Sequence, residues 1–181
     1  MFGLTMDQLA LLSLAPVTAL ALLVIYFTRA GLRRLSGALL GGIAGGLLNL
    51  GADLVAFALS LWHYASTHPA YASPWFYVTA GLGYGAVASL IGWRIDRRFG
   101  GRGVLIFLAC VAAYGLLRDF LGTAAANAAG IHLLVLAPGP LTVLADALCW
   151  VGCVGLAMLV MRLFAGPARA DQLARQPAAS L

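Results

Sequence analysis

The chain has 181 residues, of which 62% are hydrophobic and only 9% charged, with a formal net charge of +5. Soluble domains carry about 25% charged residues, so this chain lacks the polar surface that a water-soluble fold needs, and one helical bundle accounts for its length. All basic residues are arginine and all acidic ones aspartate; the arginines flank apolar runs and form no basic stripe with interleaved aromatics, which argues against nucleic acid as a partner.

A helix that crosses the hydrocarbon core needs about 20 apolar residues. The first such run covers residues 8–27, and its lead-in has no basic cluster, so no cleaved signal peptide is expected. Arg29, Arg33 and Arg34 follow. The second run covers 37–62 and leads into a polar, aromatic loop over 63–74. The third covers 75–95 and closes among Arg94, Arg97, Arg98 and Arg102. The fourth covers 104–123 and the fifth 141–164, followed by a tail with Arg169 and Arg175. Between these two, residues 124–140 are apolar but too short to cross and return. This stretch reads as a short interfacial helix, a sixth helix or a re-entrant turn, ended by the Pro138-Gly139-Pro140 break.

The arginine positions set the orientation. Every arginine except Arg118 falls in the first connection, the third connection or the C-terminal end. With five spans those three places share one side, and the cytoplasmic bias of basic residues puts the C-terminus inside and the N-terminus outside. The sequence therefore predicts an all-α, polytopic membrane bundle of about five transmembrane helices in the cell inner membrane. Residues 1–165 form its single transmembrane domain and 166–181 a flexible cytoplasmic tail, with membrane lipids as the surrounding partner.

The second run carries Gly37, Gly41 and Gly45 at steps of four, with Gly42 and Gly46 beside them, and the third carries Gly81, Gly85 and Ser89. Small residues at this spacing let helix backbones approach closely. Packing of the second helix on the third is the plain expectation, and a homodimer or partner-subunit interface the sharper one. Cys110, Cys149 and Cys153 all lie in apolar runs and read as small hydrophobic filler.

Ionisable residues inside a span cost a few kcal/mol and face the protein interior. At about 1.5 Å per residue from the arginine ends, Asp53 and Asp146 lie roughly 25 Å up their helices and Arg118 and Asp119 roughly 22–24 Å. In a core of about 30 Å all four fall in the outer third, with His63, Tyr64, His68 and His132 beyond them. This common depth predicts an outward-facing polar pocket. Its candidate ligand-binding residues are Asn49, Asp53, His63, Tyr114, Arg118, Asp119 and Asp146, with Asp53 and Asp146 as candidate catalytic carboxylates. Arg118 and Asp119 point about 100° apart on an α-helix, so Arg118 is expected to bridge to an aspartate of another span. Trp62, Tyr64, Trp75, Phe76 and Tyr77 read as an aromatic belt. No ligand spacing calls for a metal or a cofactor.

The run Asp53…Leu61-Trp62-His63-Tyr64…Pro74 resembles a stretch of membrane lycopene cyclases and carotenoid hydratases. There an intramembrane acid precedes a Trp-x-aromatic pair and a proline before the next span. The likeness covers about 25 residues of the sequence, and the paired glutamates that follow the proline in that family have no counterpart in a chain without glutamate. It implies carboxylates that protonate a polyene. Asn49 and Asp53 also resemble the Asn/Asp motifs of lipoprotein signal peptidases, although the spacing differs and the accompanying arginine is missing.

Three functions compete on these grounds. The pocket binds a small or lipophilic ligand, as the substrate-binding membrane component of a transporter would. Alternatively, an embedded enzyme uses aspartate acid–base chemistry on a lipid or isoprenoid. In the third case the charges are structural and the chain is an assembly subunit of a membrane complex.

Overall fold

The computed structural model describes residues 6–65, 68–130 and 133–168. Over these the chain is mostly helical, and several helices are long and apolar enough to cross a membrane. Helix α1 runs Met6–Thr28 and stops where Arg29 turns left-handed at φ 49°. Helix α2 runs Leu32–Ala58. Ser60 then adopts φ 56°; its amide donates to the Phe57 carbonyl (3.0 Å) and that of Leu61 to the Ala56 carbonyl (2.8 Å). These paired bonds close a helix C-terminus. They stop α2 short of residue 62 and hand Trp62 to a strand.

The next helical stretch, Pro74–Ala128, opens at Ser73, whose hydroxyl accepts from the Phe76 amide (3.3 Å), with Pro74 in the first turn. Its 55 residues would make a rod of roughly 80 Å if straight. It is not straight. Gly100 has φ 66° and ψ −160°, a conformation that is essentially closed to residues with a Cβ. The chain doubles back there: the Phe107 ring lies beside Gly92, and Trp150 meets both Tyr84 and Tyr114, with ring centroids 4.5 and 5.7 Å away. The two arms are α3 (residues 74–99) and α4 (101–128); the last helix, α5, is Pro140–Ala165. Gly100→Val is expected to cost about 1–3 kcal/mol, read as a lower Tm in detergent. A wild-type Tm would show that the reversal does not depend on this glycine.

Among the described residues, the segment 124–140 holds the end of a longer helix and a short strand in place of the separate short helix or re-entrant turn expected. Helix α4 continues to Ala128 and ends at Gly130, φ 75°. Strand β2 (Leu134–Leu136) then pairs antiparallel with β1 (Trp62–Tyr64), setting Trp62 opposite Leu136, His63 opposite Val135 and Tyr64 opposite Leu134. The ladder extends through Ala137 N–H to the Leu61 carbonyl (2.8 Å) and Ala65 N–H to the Leu133 carbonyl (3.0 Å). The fold is thus a helical bundle with one small sheet and not purely α. Strand pairing gives the two connections partners for main-chain groups that would otherwise be stranded beside apolar helix ends.

Helix α2 sits between two others and uses a different row of glycines for each. Gly37, Gly41 and Gly45 face Met161, Ala157 and Cys153 of α5, and Asn49 continues the register opposite Cys149. Gly42 and Gly46 face α3: a Cβ would lie 2.5 Å from the Gly81 carbonyl at the first and 3.0 Å from the Tyr77 carbonyl at the second. Gly81 and Gly85 reciprocate against Gly42. The predicted pairing of the second and third helices therefore runs through Gly42, Gly46, Gly81 and Gly85, while Gly37, Gly41 and Gly45 serve α5. Both rows are filled from within the chain. Gly115 of α4 packs on the Trp150 indole, and α1 covers α3, with Ala21 and Val24 beside Val87 and Leu90.

The outer faces carry exposed leucine, isoleucine and phenylalanine, among them Leu22 and Phe27 of α1, Leu105 and Ile106 of α4, and Leu144 and Leu148 of α5. Water would penalise such a surface and hydrocarbon would not. At the arginine end, buried Arg34 donates to the Gly166 and Pro167 carbonyls (2.5 and 2.9 Å) and Arg33 to that of Phe164 (3.2 Å). Guanidinium groups thus satisfy the free carbonyls at the end of α5. The first residues of the predicted tail are therefore docked; residues 169–181 lie outside the described residues.

Candidate functional site

At the end of the bundle away from Arg34, α2, α3, α4, α5 and the small sheet enclose a cavity of about 280 Å³. Its floor is the close approach of Gly45 to Cys153 and of Gly42 to Gly85. Asn49, Asp53, Arg118, Asp119 and Asp146 all line it, so the structure brings five of the predicted residues together. Asn49 accepts from the Cys149 thiol at 3.7 Å.

Asp53, 3% exposed, is held by three donors. The Trp62 indole N–H donates to Oδ1 at 3.0 Å, and the hydroxyls of Tyr64 and Tyr77 donate to Oδ2 at 3.0 and 2.6 Å. The Tyr77 oxygen also accepts from the Ala72 amide (2.9 Å). Strand alternation explains the pair: Trp62 and Tyr64 project from one face of β1 and His63 from the other. Burial, with the Asp53 charge added, pushes the Tyr64 phenol well above its usual range, so it remains a donor. Both oxygens of Asp53 are thus engaged, and this carboxylate anchors the sheet and the α3 entry to α2.

Across the cavity, Arg118 pairs with its own neighbour Asp119, and the Trp150 N–H donates to the second Asp119 oxygen at 2.8 Å. The expectation of a bridge to another span is therefore overturned. Residues Leu117–Leu121 form a π-helical turn, which is wider than an α turn, so successive side chains diverge less and the long guanidinium folds back on Asp119. The guanidinium carbon lies 5.4 and 5.6 Å from the Tyr84 and Trp150 ring centres. Tyr84 itself sits in a second π-helical stretch, Gly81–Val87. Both irregular turns border the cavity, a frequent association at functional sites.

Asp146 differs from the other two carboxylates. It is 6% exposed, its Oδ2 has no hydrogen-bond partner among the described residues, and it lines the cavity together with Asp119. Buried polar atoms are nearly always partnered, so an orphaned oxygen facing a cavity calls for an explanation.

Two predicted residues fall outside the cavity lining. His63 is on the solvent side of β1. Tyr114, 56% exposed, packs edge-on against Trp150. His68 stacks on Tyr71, and His132 lies outside the described residues. The aromatic-belt reading also needs correction. Trp75 is exposed, but Trp62, Tyr64 and Tyr77 turn inward to Asp53, and Trp62, Tyr64 and Phe76 line the cavity together with Tyr84 and Trp150. Their signal in the sequence was the carboxylate itself, because a buried acid needs donors. Neither a protein-family model, nor a curated sequence, nor a solved structure matches the chain, so the chemistry of the site is argued from its geometry.

Proposed function

We propose that the chain is a multi-pass protein of the cell inner membrane, with five transmembrane helices and its N-terminus outside, that binds a small or lipophilic ligand in an outward-facing pocket. One observation carries the ligand reading: Oδ2 of Asp146, without a hydrogen-bond partner among the described residues, is buried at the wall of an aromatic-lined cavity. A purely structural carboxylate would resemble Asp53, with both oxygens engaged. The division of Pro74–Ala128 into two arms at Gly100 supports five spans, and the distribution of arginines supports the orientation. Backbone contacts below the pocket, at Gly41 against Ala157 and Gly42 against Gly81, leave little room for a path onward. Capture of a ligand for a transport partner therefore fits better than carriage by this chain alone.

A second reading is favoured by the proximity of Asp146 to Asp119. A carboxyl pair that shares one proton is a means of acid–base catalysis, and an embedded enzyme acting on a lipid or isoprenoid would use Asp146 in that role. Asp53, saturated by three donors, is not the acid of such an enzyme.

Native mass spectrometry of protein released from detergent tests the pocket. The wild type is expected to carry a small-molecule adduct, and Asp146→Asn to retain the fold while losing at least about nine-tenths of it, as the loss of a charged hydrogen bond implies. Equal adduct on both proteins, or none on either, would overturn the assignment.

A further inference from the structure

The charge inventory of the pocket is lopsided. The indole N–H groups of Trp62 and Trp150 and the Tyr64 hydroxyl are each committed to a carboxylate. The guanidinium of Arg118 is engaged by Asp119 and lies over two aromatic rings. On the acceptor side, Oδ2 of Asp146 is buried without a partner among the described residues. Three carboxyl groups thus border the space against one guanidinium. Arg118 offsets Asp119, three neutral donors stabilise Asp53, and no group among the described residues donates to Oδ2 of Asp146. The rings of Trp62, Tyr64 and Phe76 supply faces nearby.

Each ligand class meets this inventory differently. An anion would meet three carboxyl groups and one guanidinium, whose charge Asp119 already offsets. A neutral apolar molecule would leave Oδ2 dry, at the cost of an unmade hydrogen bond. A cation with an N–H satisfies that oxygen and gains from the aromatic faces. We propose that the pocket takes an organic cation bearing at least one N–H donor, a protonated amine or amidine on an apolar or aromatic body, with the N–H directed to Oδ2 of Asp146. This rests on the ligand-pocket reading above and narrows it to one class.

Benzylammonium, benzyl alcohol, benzoate and benzyltrimethylammonium, titrated into the full-length protein in non-ionic detergent and followed by calorimetry, test the class. Benzylammonium is expected to bind at least about tenfold more tightly than benzyl alcohol, with benzoate weakest. Benzyltrimethylammonium, which has the charge without the N–H, should fall below benzylammonium. Asp146→Asn should erase the preference for benzylammonium over benzyl alcohol without moving the elution volume. If that variant fails to fold, the wild-type ranking alone decides. Benzyl alcohol or benzoate binding as tightly as benzylammonium overturns the cation assignment and leaves the pocket standing. If none of the four binds, the cation assignment falls, and the pocket reading is judged separately by the mass-spectrometric adduct.

Discussion

A leucine at Gly41 is expected to abolish the folded protein, or to lower its stability by about 3 kcal/mol or more, the upper end for overpacking. At this position even a methyl group would run into the main chain of Ala157, at its carbonyl. Main chain cannot swing aside as a side chain can, so α2 and α5 would have to separate along their whole contact. The cost is graded along the ridge. Gly45 is opposed by the Cys153 carbonyl, with 2.9 Å to a built Cβ, and Gly37 by the Met161 side chain and carbonyl, both at the looser distance of 3.3 Å. Substitution by alanine should therefore hurt most at Gly41, less at Gly45 and least at Gly37. Gly51 lies on the same helix with nothing within 4 Å of a built Cβ, and alanine there should be neutral or stabilising by up to about 1 kcal/mol. Thermal unfolding in detergent with size-exclusion profiles reads the series. If Gly41→Leu melts like the wild type, α2 and α5 do not meet there.

That ridge was legible before the structure because spacing of small residues is a one-dimensional signal. Which helix fills it was not, since Gly37 and Gly42 lie on different faces of one helix and both spacings look alike. The helical spans were legible for the same reason: run length and flanking arginines need no partner to be recognised. The β1–β2 pairing escaped because three-residue strands about 70 residues apart in the sequence carry almost no periodic signal. Its loss had consequences for the site. Without the sheet, Trp62 and Tyr64 read as membrane-interface aromatics, when the strand in fact turns both toward Asp53 and His63 away. The expected bridge from Arg118 to another span rests on α geometry, and the turn that carries it is π-helical. Nothing in Leu117–Leu121 announces that turn.

Asp53→Ala should be the most damaging change in the pocket, and Asp146→Asn, although that residue too is buried, among the mildest. Removing the Asp53 carboxylate leaves the Trp62 indole, the Tyr64 hydroxyl and the Tyr77 hydroxyl without their acceptor. Each orphaned buried donor costs about 1–3 kcal/mol, so three approach the total stability of about 5–15 kcal/mol that folded proteins have. The same substitution releases β1 and the entry to α3, because both are held to α2 through this one group. Asp146 loses no hydrogen bond at Oδ2 when that atom becomes an amide nitrogen, and a change within about 1 kcal/mol is expected. A double-mutant cycle separates an orphaned-donor cost from simple loss of volume. In a Tyr64→Phe, Tyr77→Phe background two of the three donors are gone, and the penalty for Asp53→Ala should shrink by half or more, because removing both partners of a buried bond is far milder than removing one. An undiminished penalty would mean that Asp53 acts through something other than these tyrosines, and the division between an anchoring carboxylate and a ligand-facing one would have to be abandoned.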